Sequence, residues 1–171
     1  MPYGDAMRSL LALPILLLSA CGSAQSQPLA SGTTVDRLLA DKSERVLIGY
    51  AKGREVVRYT NVRLGDAPVG HKRFEGDEKT PEGSYTISGR NPKSAYHLSL
   101  RISYPNAADR AYAKARGRSP GGDIFIHGQP NAWRGPAIPR DWTDGCIALS
   151  NAEIKQLWDI VPDGTPITIR P

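Results

Sequence analysis

Arg45-Val46-Leu47-Ile48-Gly49-Tyr50 and Glu55-Val56-Val57-Arg58-Tyr59 are two apolar, β-branched runs that flank Lys52-Gly53-Arg54. The pattern predicts a β-hairpin: Val, Ile and Tyr suit a pleated, half-buried surface, and glycine supplies the backbone freedom of a tight connection. Further out, Ser84-Tyr85-Thr86-Ile87-Ser88, His97-Leu98-Ser99-Leu100-Arg101-Ile102-Ser103 and Asp123-Ile124-Phe125-Ile126-His127 predict more strands, the second with period-two alternation. Thr165-Pro166-Ile167-Thr168-Ile169 predicts the last strand, with its proline at an edge or at the strand start. Helical periodicity is confined to residues 107–115 and 151–160. The second of these has Ser150 or Asn151 as N-cap, Glu153 in its first turn, and Ile154, Leu157, Trp158 and Val161 on one face. Residues 36–39 predict one short helix capped by Thr33 or Thr34. Strands dominate, so the expected fold is mainly β, a sandwich or small barrel with a few short peripheral helices.

The 171 residues suit one globular unit, and 40% apolar with 23% charged residues excludes both a polytopic membrane protein and a wholly disordered chain. Twenty-two Lys and Arg against 17 Asp and Glu give a net charge of +5, a balance that suits an anionic partner. The cations are scattered without a block of five or six and only two Phe are present, which argues against nucleic acid and for a solvated basic surface.

Leu10 to Ala20, preceded by Arg8, form an apolar run of 11 residues, too short to span a bilayer and of the right length for a signal-peptide core. Leu18-Ser19-Ala20-Cys21 resembles a bacterial lipoprotein signal, in which small residues fit a narrow peptidase cleft and the cysteine takes the lipid. The resemblance implies a signal peptide over 1–20, a lipidated Cys21 with a flexible linker over 21–33, and a catalytic domain over 34–171. Gly22 after the cysteine favours the outer membrane.

With Cys21 consumed by lipid, Cys146 is the one remaining cysteine and no intramolecular disulfide can form. Cys146 follows Gly145 and precedes an apolar pair and a capped helix; His127 ends an apolar strand and is followed by Gly128. A thiol is a weak nucleophile until a base or a positive environment activates it, and a histidine within reach supplies both. Gly145 allows backbone N–H groups to turn toward a tetrahedral oxyanion. A buried structural cysteine is the alternative reading of these residues.

His127-Gly128 followed by Thr143-x-Gly145-Cys146-Ile147 resembles the active-site signature of the L,D-transpeptidase catalytic domain, the YkuD-type family. Gly76-Asp77-Glu78-Lys79-Thr80-Pro81-Glu82-Gly83-Ser84-Tyr85 resembles that family's upstream glycine-aspartate, threonine-proline-x-glycine-x-tyrosine segment. The resemblance implies a β-sandwich or barrel-like domain acting on peptidoglycan stem peptides, with Cys146 as nucleophile and His127 as proton acceptor and donor. Gly145, Asp144 and Thr143 would support the oxyanion loop, while Gly128, Thr80 and Glu82 would bind substrate. An ion pair with His127 would hold the thiol below its ordinary pKa. Two positions depart from the family pattern: Thr143-Asp144 stands where Ser-His is frequent, and Ala148 stands where an Arg follows the cysteine. The departures leave room for water as acceptor, giving a cysteine hydrolase of cross-links or protein tethers, or for a non-catalytic wall-binding lipoprotein. No cofactor and no metal are expected, and the chain is expected to act as a monomer. The loop between His127 and Cys146, with Trp133 and Trp142, is the expected substrate entrance.

Overall fold

The computed structural model describes Met1 and residues 29–171. The signal peptide expected over 1–20 and the lipidation site Cys21 lie outside the described residues, apart from Met1. The described residues form a curled, eight-stranded sheet of half-barrel shape with two helices.

The predicted hairpin is β2 (Val46–Ala51) and β3 (Arg54–Thr60), antiparallel and closed by Lys52 and Gly53. Both turn residues have positive φ, +51° and +76°, which matches the right-handed twist of the flanking strands. Of residues 36–39, predicted helical, 37–39 instead belong to strand β1 (Arg37–Asp41) and Asp36 precedes it. A four-residue helix gains too few backbone hydrogen bonds to offset its nucleation cost, whereas β1 finds ladders on both sides. It pairs with β2 on one edge and β8 (Pro166–Arg170) on the other. Thr33 does not cap a helix either, since its hydroxyl donates to the Ala30 carbonyl. β8 lies between β1 and β4 (Gly83–Asn91), so the edge placement of Pro166 is corrected and the strand-start placement holds.

The remaining strands, β5 (Ser99–Ile102), β6 (Phe125–His127) and β7 (Ile147–Ala148), complete the order β3-β2-β1-β8-β4-β5-β6-β7. His97 precedes β5 rather than starting it, with φ +67° and its N–H donating to the Asn131 side chain. Both predicted helices form, α1 (Ala107–Lys114) and α2 (Asn151–Ile160). Each opens with a capping box, Asn106 with Asp109 and Ser150 with Glu153, which satisfies N–H groups that a helix start leaves unpaired. Ile154 and Leu157 of α2 are fully buried within a core shared with Leu100, Ile126 and Ile147. That packing fixes the ends of β6 and β7, where the chemistry-bearing residues sit.

Candidate active site

β6 and β7 run parallel, with Ile126 opposite Ile147 and His127 opposite Ala148. This register brings Cys146, one residue ahead of β7, alongside Phe125, whose N–H donates to Sγ at 3.4 Å. The thiol itself donates to the Asp123 carbonyl at 3.6 Å. Strand side chains alternate, so Phe125 and His127 share the face opposite the buried Ile126. Cys146 and His127 both line one cleft of about 390 Å³, together with Asn91, Ser94, Tyr96 and Trp142.

His127 is almost wholly buried, and its Nδ1 lies 2.7 Å from the Gly128 carbonyl. A carbonyl can only accept, so Nδ1 carries the proton and the neutral ring keeps Nε2 as its acceptor. Tyr96 lies against the imidazole at 4.6 Å between centroids and Trp142 meets it edge-on at 5.5 Å. Burial pushes the His127 pKa down, opposed by its bond to Gly128.

Burial also pushes the Cys146 thiol up to about 11. The Phe125 N–H and the Lys72 ammonium oppose that rise, while the Asp144 and Asp123 carboxylates add to it. The expected depressed thiol is therefore corrected. In a cleft that penalises charge, burial favours the neutral thiol and the neutral imidazole, both of which line it.

The turn that carries Cys146 is built by Thr143 and Gly145. The Thr143 hydroxyl donates to the Cys146 carbonyl at 2.8 Å and accepts the Gly145 N–H at 3.2 Å, which ties that N–H to the loop. Gly145 has φ +126°, a conformation that strains other residues. Asp144 is exposed at the cleft wall and makes no hydrogen bond to His127; its carbonyl faces the buried Lys72 ammonium at 3.5 Å.

The upstream motif forms the floor beneath this turn. Gly65 bridges to Thr143, and the Asp66 N–H donates to the Thr143 carbonyl at 3.0 Å. Thr80 is fully buried, and its hydroxyl accepts the Gly65 N–H at 3.0 Å. Glu82 pairs at 2.6 Å with Lys42, a nearly buried cation. Asp77 accepts from the Arg73, Phe74 and Lys79 N–H groups and from Lys72. Gly128 sits so close to the Asn151 side chain that a Cβ would lie 2.6 Å from Oδ1. Of the residues the sequence assigned, Cys146, His127, Thr143 and Asp144 line the cleft, whereas Gly145, Gly128, Thr80 and Glu82 do not.

Tyr96 and Lys72 were missed by sequence reasoning. Tyr96 sits in an irregular stretch with no motif around it, and Lys72 carries no sign in the sequence of being buried. The loop after His127 contributes Trp142 to the cleft; Trp133 is half-exposed and donates to the Pro136 carbonyl. Ala148 is buried in β7, with its N–H and C=O bonded to Arg63. Among the described residues no cluster of His, Cys, Asp and Glu could hold a metal ion.

Residues 35–169 match a family model described as the YkuD-type L,D-transpeptidase catalytic domain. A protein of Escherichia coli strain K12 with the provisional name L,D-transpeptidase YafK is 29% identical over 125 residues, 70% of this chain and 44% of the relative. The crystal structure of the helical cell shape determining protein Pgp2 from Campylobacter jejuni superposes with a TM-score of 0.63 at 29% identity, covering 81% of this chain and 48% of that one. An L,D-transpeptidase from Xylanimonas cellulosilytica shares the fold, with a TM-score of 0.52 at 17% identity over 84% of this chain and 64% of that one. The chain spans about half the length of the first two relatives. With a Cys–His cleft at the ends of β6 and β7 and a match over nearly all the described residues, the chain belongs to the L,D-transpeptidase catalytic-domain family.

Proposed function

We propose that the chain transfers acyl groups on peptidoglycan stem peptides through a thioester on Cys146. The observation that carries this reading is the parallel β6–β7 ladder, which opens both Cys146 and His127 onto one cleft. As Sγ attacks the carbonyl of an L-centre, its proton passes to Nε2 of His127 and a tetrahedral oxyanion forms. Collapse breaks the C–N bond, and the departing amine of the D-residue takes that proton back. An acceptor amine then attacks the thioester, gives its proton to His127, and restores the thiol. Tyr96 and Trp142 hold the ring for both transfers, while Thr143, Asp144 and Gly145 shape the turn that carries the thiol. Thr80, Glu82 and Gly128 act on substrate through the loops they brace. The lipoprotein-like stretch ending at Cys21 supports an extracytoplasmic, membrane-tethered location, with the outer membrane favoured.

A hydrolytic variant of the same chemistry is favoured by one observation. Ala148 is buried where the family signature carries Arg, and among the described residues no Lys or Arg lines the cleft to clamp a second peptide. Incubating the protein with defined muropeptides and a D-amino acid, then reading products by mass, separates the two. Exchange of the terminal D-residue is expected. Hydrolysed peptide alone at high acceptor concentration would assign hydrolysis, and no product from either the wild type or a Cys146→Ala control would reject the acyl-enzyme.

A further inference from the structure

Five exposed cations, Arg73, Arg110, Lys114, Arg116 and Arg118, belong to α1, the residues just after it, and the loop that carries Asp77. Scattered in sequence, three of them converge on two rings. The guanidinium carbons of Arg73 and Arg116 lie 4.4 and 3.6 Å from the Tyr112 ring centre, and that of Arg118 lies 3.9 Å from Phe74. The two rings are themselves 5.9 Å apart.

None of the five cations forms an ion pair among the described residues. Asp109, the one acid on α1, is buried and bonded to His71 and Tyr85. Like charges would otherwise spread apart. Stacking holds the guanidinium faces on the rings and leaves edge N–H groups available to a planar oxyanion.

The patch meets a groove of about 680 Å³. Glu75, next to Phe74, donates its N–H to the Ser119 carbonyl, next to Arg118, and both residues line that groove. Asp123 and Asp144, which line it together with Glu75, Glu78, Lys72 and Arg101, also line the Cys146 cleft. We propose that Arg73, Arg116 and Arg118, stacked on Tyr112 and Phe74, dock a carboxylate-bearing polymer, its carboxylates held on the arginines at the margin of this groove and clear of the groove's own acids. Identifying that polymer as peptidoglycan rests on the function proposed above.

The rings argue against other anions. Phe74 and Tyr112 are half-buried beneath guanidiniums, so neither protrudes as an apolar wedge into lipid, and their capped faces leave little room for base stacking.

The test measures retention of the full chain carrying Cys146→Ala on purified sacculi, against phosphatidylglycerol vesicles, with and without Arg73→Gln, Arg116→Gln and Arg118→Gln. The triple variant should bind sacculi about tenfold more weakly, each lost exposed charge contributing a modest factor. With Cys146 intact, its turnover of a small soluble muropeptide should be unchanged. Arg116→Gln alone should weaken binding by about twofold, which covers the case of a triple variant that misfolds. Unchanged sacculus affinity would overturn the proposal, and retention on vesicles that is equal or tighter and is lost in the triple variant would replace the polymer with a membrane. If the wild type turns over no muropeptide while sacculus binding still depends on these arginines, the catalytic reading fails and the docking surface stands.

Discussion

Gly145 and Lys79 meet backbone to backbone: a Cβ on Gly145 would lie 2.5 Å from the Lys79 carbonyl oxygen. The turn that carries Cys146 is therefore seated directly on the loop that carries the Gly76–Tyr85 motif. This contact gives a physical reason for both motifs to occur in one chain, since the upstream loop is the mould for the turn.

Gly145→Ala should accordingly damage both fold and activity. The positive φ alone costs about 1–3 kcal/mol with a side chain present, and the overlap with Lys79 adds to it. Thermal unfolding should show a lowered Tm, and acylation of Cys146 should fall by more than the unfolded fraction accounts for. A variant with wild-type Tm and acylation would refute the seat.

The buried Lys72 pairs with the half-buried Asp77 at 3.0 Å under the same turn. Lys72→Met should cost about 1–3 kcal/mol, because it removes a buried cation's charge-assisted hydrogen bond from a half-buried carboxylate that keeps three backbone donors. Adding Asp77→Asn should recover part of that loss. Burial pushes the Asp77 pKa up, but the Arg73 and Phe74 N–H groups and Lys72 outweigh it and hold the carboxyl below its usual range. A group with a depressed folded value contributes stability above its unfolded pKa, near 3.9, and loses it as pH falls through the folded value. Chemical unfolding at a series of pH values should show a shallower acid limb in Lys72→Met.

The pair proposed as catalytic, Cys146 and His127, should work over a wide pH window. His127 titrates below its usual value and Cys146 at about 11, so the neutral pair that begins acylation persists from mildly acidic to clearly alkaline pH. The kcat/KM profile should be flat across neutrality. Iodoacetamide labelling of the free enzyme should have its midpoint well above the ordinary thiol value, and Lys72→Met should raise it further, because the ammonium favours thiolate. A midpoint below the ordinary value would show a resting ion pair instead.

Tyr96 lies against the imidazole and is 39% exposed. Tyr96→Ala should lower kcat by about tenfold or less, the worth of one aromatic stack, and should leave Tm nearly unchanged. Comparing kcat with Tm in one preparation separates positioning of His127 from general stability. His127→Ala and Cys146→Ala should each remove most of the rate, and the double variant should be little worse than either, because the two act as a unit.

Much of this protein is legible in its residues. The Lys52-Gly53 hairpin, both helices and the strand ending at His127 follow from local chemistry: turn residues, caps and apolar period; the two-residue strand after Cys146 does not. The family resemblance also lies in the sequence, through His127-Gly128 and Gly145-Cys146. Tertiary structure decided what depends on partners distant in the chain. Residues 37–41 became a strand because β2 and β8 offered two ladders, and Pro166 left the edge because β1 and β4 enclosed its strand. Thr80 and Glu82 became supports for loops once Gly65 and Lys42 arrived beside them. The thiol's pKa rose through burial, which no local sequence encodes. Cations dispersed along the chain became one patch because Tyr112 and Phe74 packed together. Local preference is written residue by residue, whereas charge, burial and contact at a site are sums over neighbours that only the folded chain assembles.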